Sequence, residues 1–335
     1  MTCLASLMFL VINGIIIHTL CSRPVFRETS RYMLLLNLVV ADSIVLFMGQ
    51  LLYMHGAFFI FLSYPLCGFY VMIGFLCDQI APLTLMFMSI ERYIAVCFPF
   101  HHPTIVTMRN TAFVILCVWG LGCVDMFVRL MLIVEFPFHL LPSLQMNVYC
   151  SHTALLRGPR SKVYETASTI TLFLLSALVT ALSFICVMVV AVSASTDKVS
   201  AEKARNTLLL HMFQLSLNLI STMGQPISRA LAALVEPPLS EQLIVLVYVF
   251  LGMMPRCMTA LTYGLKDLSL RPLLVSFLCC RLQASPNAVT AQTHDLQKKI
   301  RPPQAPRHTA SLSINMTKEQ MTQDNSGVLH SPRLV

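Results

Sequence analysis

Charge is what this chain has least of. Asp, Glu, Lys and Arg make up only 11% of its 335 residues, while 56% are hydrophobic; a soluble domain carries about 25% charge. So little polar surface excludes a water-soluble globule and makes the lipid bilayer the chain's solvent. The formal charge is +8, but the basic residues are scattered between apolar runs and form no single face, which argues against nucleic acid as a partner. Also missing are a CxxC or His/Cys cluster with metal spacing and a Gly-rich phosphate loop. The sequence therefore offers no metal site, no cofactor and no enzyme chemistry. The first apolar run starts at Leu4, with no secretory signal expected before it, and the one Asn-x-Ser/Thr triplet, Asn315-Met316-Thr317, lies far beyond the last run. Twelve cysteines are present, but Cys3, Cys77, Cys97, Cys117, Cys123, Cys186 and Cys257 fall inside apolar runs. There they read as small apolar side chains, not as a disulfide framework.

What the chain has in abundance is long apolar runs. Seven can be marked, at roughly 4–21, 32–54, 68–96, 112–134, 167–193, 207–230 and 242–263. Each is near or above the ~20 residues a helix needs to cross the hydrocarbon. The expectation is an all-α fold, a seven-transmembrane helix bundle over residues 1–281, with the termini on opposite sides of the membrane. The first run is marginal in length: it is either a short span supported by its neighbours or the end of a longer N-terminus. Eleven basic residues, from Arg23, Arg27 and Arg31 to Arg271 and Arg281, flank one set of ends; five, Arg129, Arg157, Arg160, Lys162 and Arg229, flank the other. The positive-inside rule then puts the N-terminus outside and the C-terminus in the cytoplasm. After Tyr263, the stretch 265–281 mixes Leu and Phe with charge and reads as a short amphipathic helix on the inner membrane surface, with Pro272 in its first turn or at a kink. Cys279 and Cys280 at its end are candidates for lipidation. Residues 282–335 are rich in Pro, Gln, Ser and Thr, with little to bury, and are expected to form a disordered cytoplasmic tail.

Because charges are costly in lipid, those inside or at the edge of the runs are the candidate functional residues. Glu91-Arg92-Tyr93 ends the third run, just before Pro99 and Pro103 stop the helix. Asp42, Asp78, His211 and Arg256 lie deep within runs, and each needs a partner or a task.

Several of these residues resemble the landmarks of the rhodopsin-like G-protein-coupled receptors. They are Asn13 in the first run, Asn37-Leu38-Val39-Val40-Ala41-Asp42 in the second, Cys67 and Glu91-Arg92-Tyr93 at the two ends of the third, Trp119 in the fourth and Cys150 before the fifth. Met88 to Cys97, and Lys203-Ala204 followed by Thr207 and His211, resemble the olfactory receptors. Ser22 to Tyr32, with Pro255-Arg256-Cys257 and Leu261-Thr262-Tyr263-Gly264, is most similar to fish odorant receptors of the 131 subfamily.

The resemblance implies a Cys67–Cys150 disulfide and a cytoplasmic G-protein switch built from Glu91, Arg92, Tyr93 and Tyr263. It further implies an odorant receptor of the plasma membrane, in sensory cilia, that binds a small extracellular molecule and activates a heterotrimeric G protein. The ligand site is expected in the outer half of the bundle, lined by the third helix, the second outer loop and helices five to seven, with Met72, Phe75, Asp78 and Gln79 contributing. Family resemblance would make Asp42 a sodium ligand, but Ala81 stands where a hydroxyl is usual and Thr259 replaces the usual Asn. The expectation is a buried polar network of Asn13, Asp42, Asp78, His211 and Arg256, with the Arg256 guanidinium standing in for the ion beside Asp42, Asp78 or both; the alternative holds Arg256 by backbone carbonyls and water. Asp78 has two readings, a structural partner of Arg256 or an anchor for a cationic ligand. Gly74, one turn further out, carries no acid where amine receptors of the family do. Helix six has no Cys-Trp-x-Pro hinge, and Pro226 lies nearer its outer end. Alternatives to the odorant reading are a peptide or lipid receptor of the same fold and a secondary transporter, a class whose usual internal repeats are not found here.

Overall fold

The computed structural model describes residues 2–22, 24–135, 144–146, 148–156, 158–193, 209, 212–213, 215–236, 239–266 and 271. His211, Cys279, Cys280, most of the amphipathic stretch and the tail lie outside these residues. Five long helices open the chain: α1 (Thr2–Ser22), α2 (Ser30–Ala57), α3 (Tyr64–Cys97), α4 (Met108–Val134) and α5 (Pro159–Ser193). The sixth run is helical over 215–221, turns at 222–223 and continues as α6 (Gly224–Leu234). The seventh, α7, runs from Leu239–Val247 through a π-helical segment, Tyr248–Met253, into Met254–Lys266. Among the described residues, six helical segments are long and apolar enough to cross a membrane; they are α1 to α5 and the 242–259 part of α7. With the sixth run they make a seven-helix bundle, and no named strand occurs among the described residues.

The ends follow local chemistry. α1 has 21 residues, about 31 Å of helix, enough to cross the ~30 Å hydrocarbon core. Pro65 sits in the first turn of α3, where its missing N–H costs nothing, and α3 stops at Cys97, two residues before Pro99. Thr107 caps α4 by accepting the Asn110 N–H at 3.2 Å. In the sixth run the break at Thr222 and Met223 precedes Pro226, which lacks the N–H that would bond back to Thr222. The N–H groups of Thr222 and Met223 make tighter bonds to Leu219 (3.1 Å) and Ile220 (2.9 Å).

α3 is the axis of the bundle. Of its apolar stretch 61% is buried, against 17% for α4, so α4 leaves most of its length to lipid. Close approach depends on glycine at two places. A Cβ on Gly122 of α4 would sit 2.9 Å from Leu76 of α3, and one on Gly49 of α2 would sit 2.8 Å from the Tyr248 hydroxyl of α7. Trp119 of α4 donates to Asn37 of α2 at 2.8 Å, and Asn37 donates to Thr84 of α3 at 2.9 Å, so one asparagine joins three helices. At the Tyr64 end of α3, Cys67 and Cys150 form a disulfide, with Cα atoms 5.6 Å apart. It pins the loop before α5 onto α3, over a cluster that includes Met72, Phe75, Met146 and Leu156. An antiparallel bridge between Ser63 and Gln145 adds a second tie, with the Tyr64 N–H donating to Leu144 at 2.9 Å and the Met146 N–H to Leu62 at 3.0 Å.

Candidate ligand-binding and signalling site

Arg256 lies on α7 just past the π-helical segment. Pro255, beside it, cannot donate back along the helix, and the wider π turn ahead of it eases the clash a proline ring would otherwise make. The Arg256 guanidinium is buried and donates Nη1 to Asp42 Oδ1 of α2 at 2.6 Å and Nη2 to Asp78 Oδ1 of α3. One planar, permanently charged group thus ties three helices through two carboxylates. Asp42 is 2% exposed, whereas the Asp78 side chain is 35% exposed. Asn13 stands apart from this triad: its amide donates to Ser43 at 3.1 Å. Ala81 is buried in the core around α3. Thr259 accepts a bond from Asn218 of the sixth run and donates to the Pro255 carbonyl at 2.9 Å.

Asp78 lines a cavity of about 380 Å³. The walls come from α2 (Val45 to Tyr53), α3 (Tyr70, Gly74, Asp78), the sixth run (Ser221 to Arg229) and α7 (Ile244 to Arg256), with Cys150, Ser151 and His152 of the tethered loop. Of the four residues expected at the ligand site only Asp78 lines it. Met72 and Phe75 are buried in the cluster under the loop, and Gln79 donates instead to Asp125 at 3.2 Å. No residue of α5 is among the lining residues, so the cavity lies on the α2–α7 side of α3. The reason is local: between α3, α4 and α5 the space is filled by a second polar cluster.

That cluster is built on Arg129 of α4, whose side chain is 2% exposed. Its Nε donates to Asp125 at 2.6 Å and its Nη2 to Ser168 of α5 at 2.7 Å, while its guanidinium lies 4.4 Å from the centre of the Phe75 ring. Tyr164 donates to the other oxygen of Asp125 at 2.9 Å. Arg229 pairs with the buried Glu165 of α5. Sequence reasoning sets Arg129 and Arg229 among outer flanking charges and passes over Asp125 and Glu165. The spacing Asp125-x-x-x-Arg129 inside an apolar run is the available signal, since residues four apart share a helix face. His152, also passed over, packs on Phe75 with ring centres 4.5 Å apart, and its Nδ1 has no hydrogen-bond partner among the described residues. Burial pushes its imidazole down to about 4, against a smaller upward pull from Asp78, so it is neutral at pH 7.

At the other end of α3, Arg92 Nε lies 3.5 Å from Glu91, and His102 of the following turn lies 3.6 Å from the same carboxylate. The Tyr93 ring packs edge-on against Phe98. Tyr263 falls in the last helical stretch of α7.

Residues 12–290 match the 7 transmembrane receptor (rhodopsin family). The chain belongs to the rhodopsin family of seven-transmembrane receptors. Among similar proteins, Odorant receptor 131-2 of Danio rerio is 28% identical over 260 residues, which covers 77% of this chain and 78% of that receptor. The Alpha-1A adrenergic receptors of Homo sapiens and Mus musculus are each 33% identical over 115 residues, 33% of this chain and 24% of theirs. A rhodopsin-family receptor is not an enzyme; it signals through G proteins. The two charged clusters of this receptor lie within its helix bundle, one beside the cavity and one beneath the tethered loop.

Proposed function

We propose that this receptor is an odorant receptor, which binds a small extracellular molecule in the cavity between α2, α3, α6 and α7 and activates a heterotrimeric G protein at its cytoplasmic end. The observation that carries the reading is the cavity itself. At about 380 Å³ it is in the size range of small-molecule sites and its walls are largely apolar, with the paired Asp78 and Arg256 in one part of the lining and Arg229, paired with Glu165, in another. The similarity to an odorant receptor over most of both chains supports the same ligand class. Orientation follows from charge: with Arg129 and Arg229 paired inside the bundle, few basic residues remain on the outer side, and the Glu91–Arg92 end is cytoplasmic. The receptor sits in the plasma membrane of sensory cilia with its N-terminus outside.

Arg256 supplies a fixed cation where a sodium ion would otherwise balance Asp42. A ligand that binds the signalling state more tightly shifts the population toward it, and a ligand with equal affinity for both states shifts nothing. In that state Arg92 leaves Glu91 for the G protein, with Tyr93 and Tyr263 as parts of the same switch; Cys279 and Cys280 anchor the inner surface helix through lipid. The test is a cAMP or calcium readout in cells against an odorant and amino-acid panel. Signalling that depends on ligand and is lost in Arg92→Ala, with surface expression intact, is the expected result. Uptake or current without G-protein activation would overturn the reading.

A further inference from the structure

Charge is balanced in one cluster and not in the other. Arg129 faces Asp125 and Arg229 faces Glu165, each one to one. Arg256 faces two carboxylates, Asp42 and Asp78. These groups therefore set four carboxylates against three guanidiniums, and the surplus negative charge sits beside the cavity. His152, which lines the same cavity from the loop, is neutral at pH 7 and does not balance this charge. An uncompensated charge in the membrane interior is unfavourable until a proton, an ion or a ligand meets it. Asp78 is the carboxylate that remains accessible: its Oδ1 accepts Arg256, while Oδ2 has no hydrogen-bond partner among the described residues, and the side chain lines the cavity. The wall is apolar at Val45, Leu46, Leu52, Ile244 and Val247. Two further polar atoms of the lining residues, Ser221 Oγ and Tyr248 Oη, also lack hydrogen-bond partners among the described residues.

The geometry points to a ligand that carries a protonated amine, its ammonium seated on the free oxygen of Asp78 and its apolar body between α2 and α7. The inference rests on the cavity being the ligand site proposed above. Asp78 then serves both helix and ligand: one oxygen holds α7 through Arg256 and the other holds the ammonium. The ligand completes the charge balance that the protein leaves open, and a neutral molecule of the same shape does not. An ammonium–carboxylate contact in a dry site is worth roughly 10- to 100-fold in affinity.

The experiment uses the full-length receptor in cells and matched pairs of small ligands that share one carbon skeleton, a primary alkyl or aryl-alkyl amine against its alcohol. Amines are expected to activate at concentrations roughly 10- to 100-fold below their alcohols. Asp78→Asn, which leaves Arg256 balanced one to one by Asp42, should erase that preference while the receptor still reaches the surface. Equal potency of amine and alcohol overturns the inference, as does an amine preference unchanged in Asp78→Asn. A sodium-dependent rise in Tm of the purified receptor that no amine reproduces also overturns it, because an ion then supplies the charge. If Asp78→Asn does not reach the surface, the Tm of the unmutated receptor with amine or alcohol decides, and the absence of an amine-specific rise overturns the inference. Activation by neutral or acidic odorants but by no amine removes the amine and leaves the odorant reading; activation by peptides or lipids alone removes both.

Discussion

Arg129 carries a permanent charge on a rigid fork of donors, and it reaches almost no solvent. Removing it leaves Asp125 charged and largely buried beneath the tethered loop. Arg129→Ala should destabilise the receptor by about 3–5 kcal/mol, read as a lower Tm in detergent and reduced surface expression. The double variant Arg129→Met with Asp125→Leu should recover part of that loss, because it removes the stranded charge along with its partner. His152 makes a second prediction at this scale. Its folded pKa of about 4 lies below the ordinary value of 6.5, so on acidification the unfolded chain binds a proton that the folded one refuses. The stability this contributes is complete above pH 6.5 and is lost as pH falls toward 4, on the order of 3 kcal/mol in all. Between pH 7 and pH 5 the Tm should fall in the native receptor and fall less in His152→Phe. Asp42, Asp78 and Arg256 stand out in the sequence because charge is rare in apolar runs. Asp125 meets the same criterion, nine residues inside the end of its run at 134, and only Arg129 sits near that end, where a flanking charge looks the same until the neighbouring helices are in place.

Helix α7 departs furthest from its pattern. Its apolar spacing reads as ordinary α-helix, and a π segment cannot be seen in such a run because it widens the turn without changing the composition. Pro255 marks the place but not the form. The π segment carries Tyr248 toward α2, where its hydroxyl lies 2.8 Å from where a Gly49 Cβ would be. Gly49→Ala should push that ring aside, at a cost of roughly 1–2 kcal/mol, and weaken agonist potency about tenfold in a dose–response assay with little change in expression. α5 is longer than its apolar run. The run begins at 167 in the sequence, yet the helix starts at Pro159. Lys162 and Glu165 are good helix formers, and Glu165 is made tolerable in the bundle by Arg229, a partner 64 residues away that no local pattern reveals.

For the whole receptor, the seven runs are legible because about twenty apolar residues have few fates other than crossing a bilayer. Which helix faces which is not legible, since lipid and protein interior are equally apolar; Gly49, Gly122 and the charge pairs settle it through contacts between distant residues. Orientation has a direct check: an epitope at the N-terminus should be labelled on intact cells, and one at the C-terminus only after permeabilisation. Trp119 offers another reading of the same molecule. It is the single tryptophan of the chain, and its indole N–H ends on Asn37, the residue that joins α2, α3 and α4. Intrinsic fluorescence excited at the red edge, where tyrosine does not absorb, therefore has one source and one address. Because α2 forms a wall of the cavity, agonist binding should shift or quench that emission, whereas an event confined to α6 and α7 would leave it unchanged. A light signal needing no attached dye thus divides the helices that respond from those that hold still.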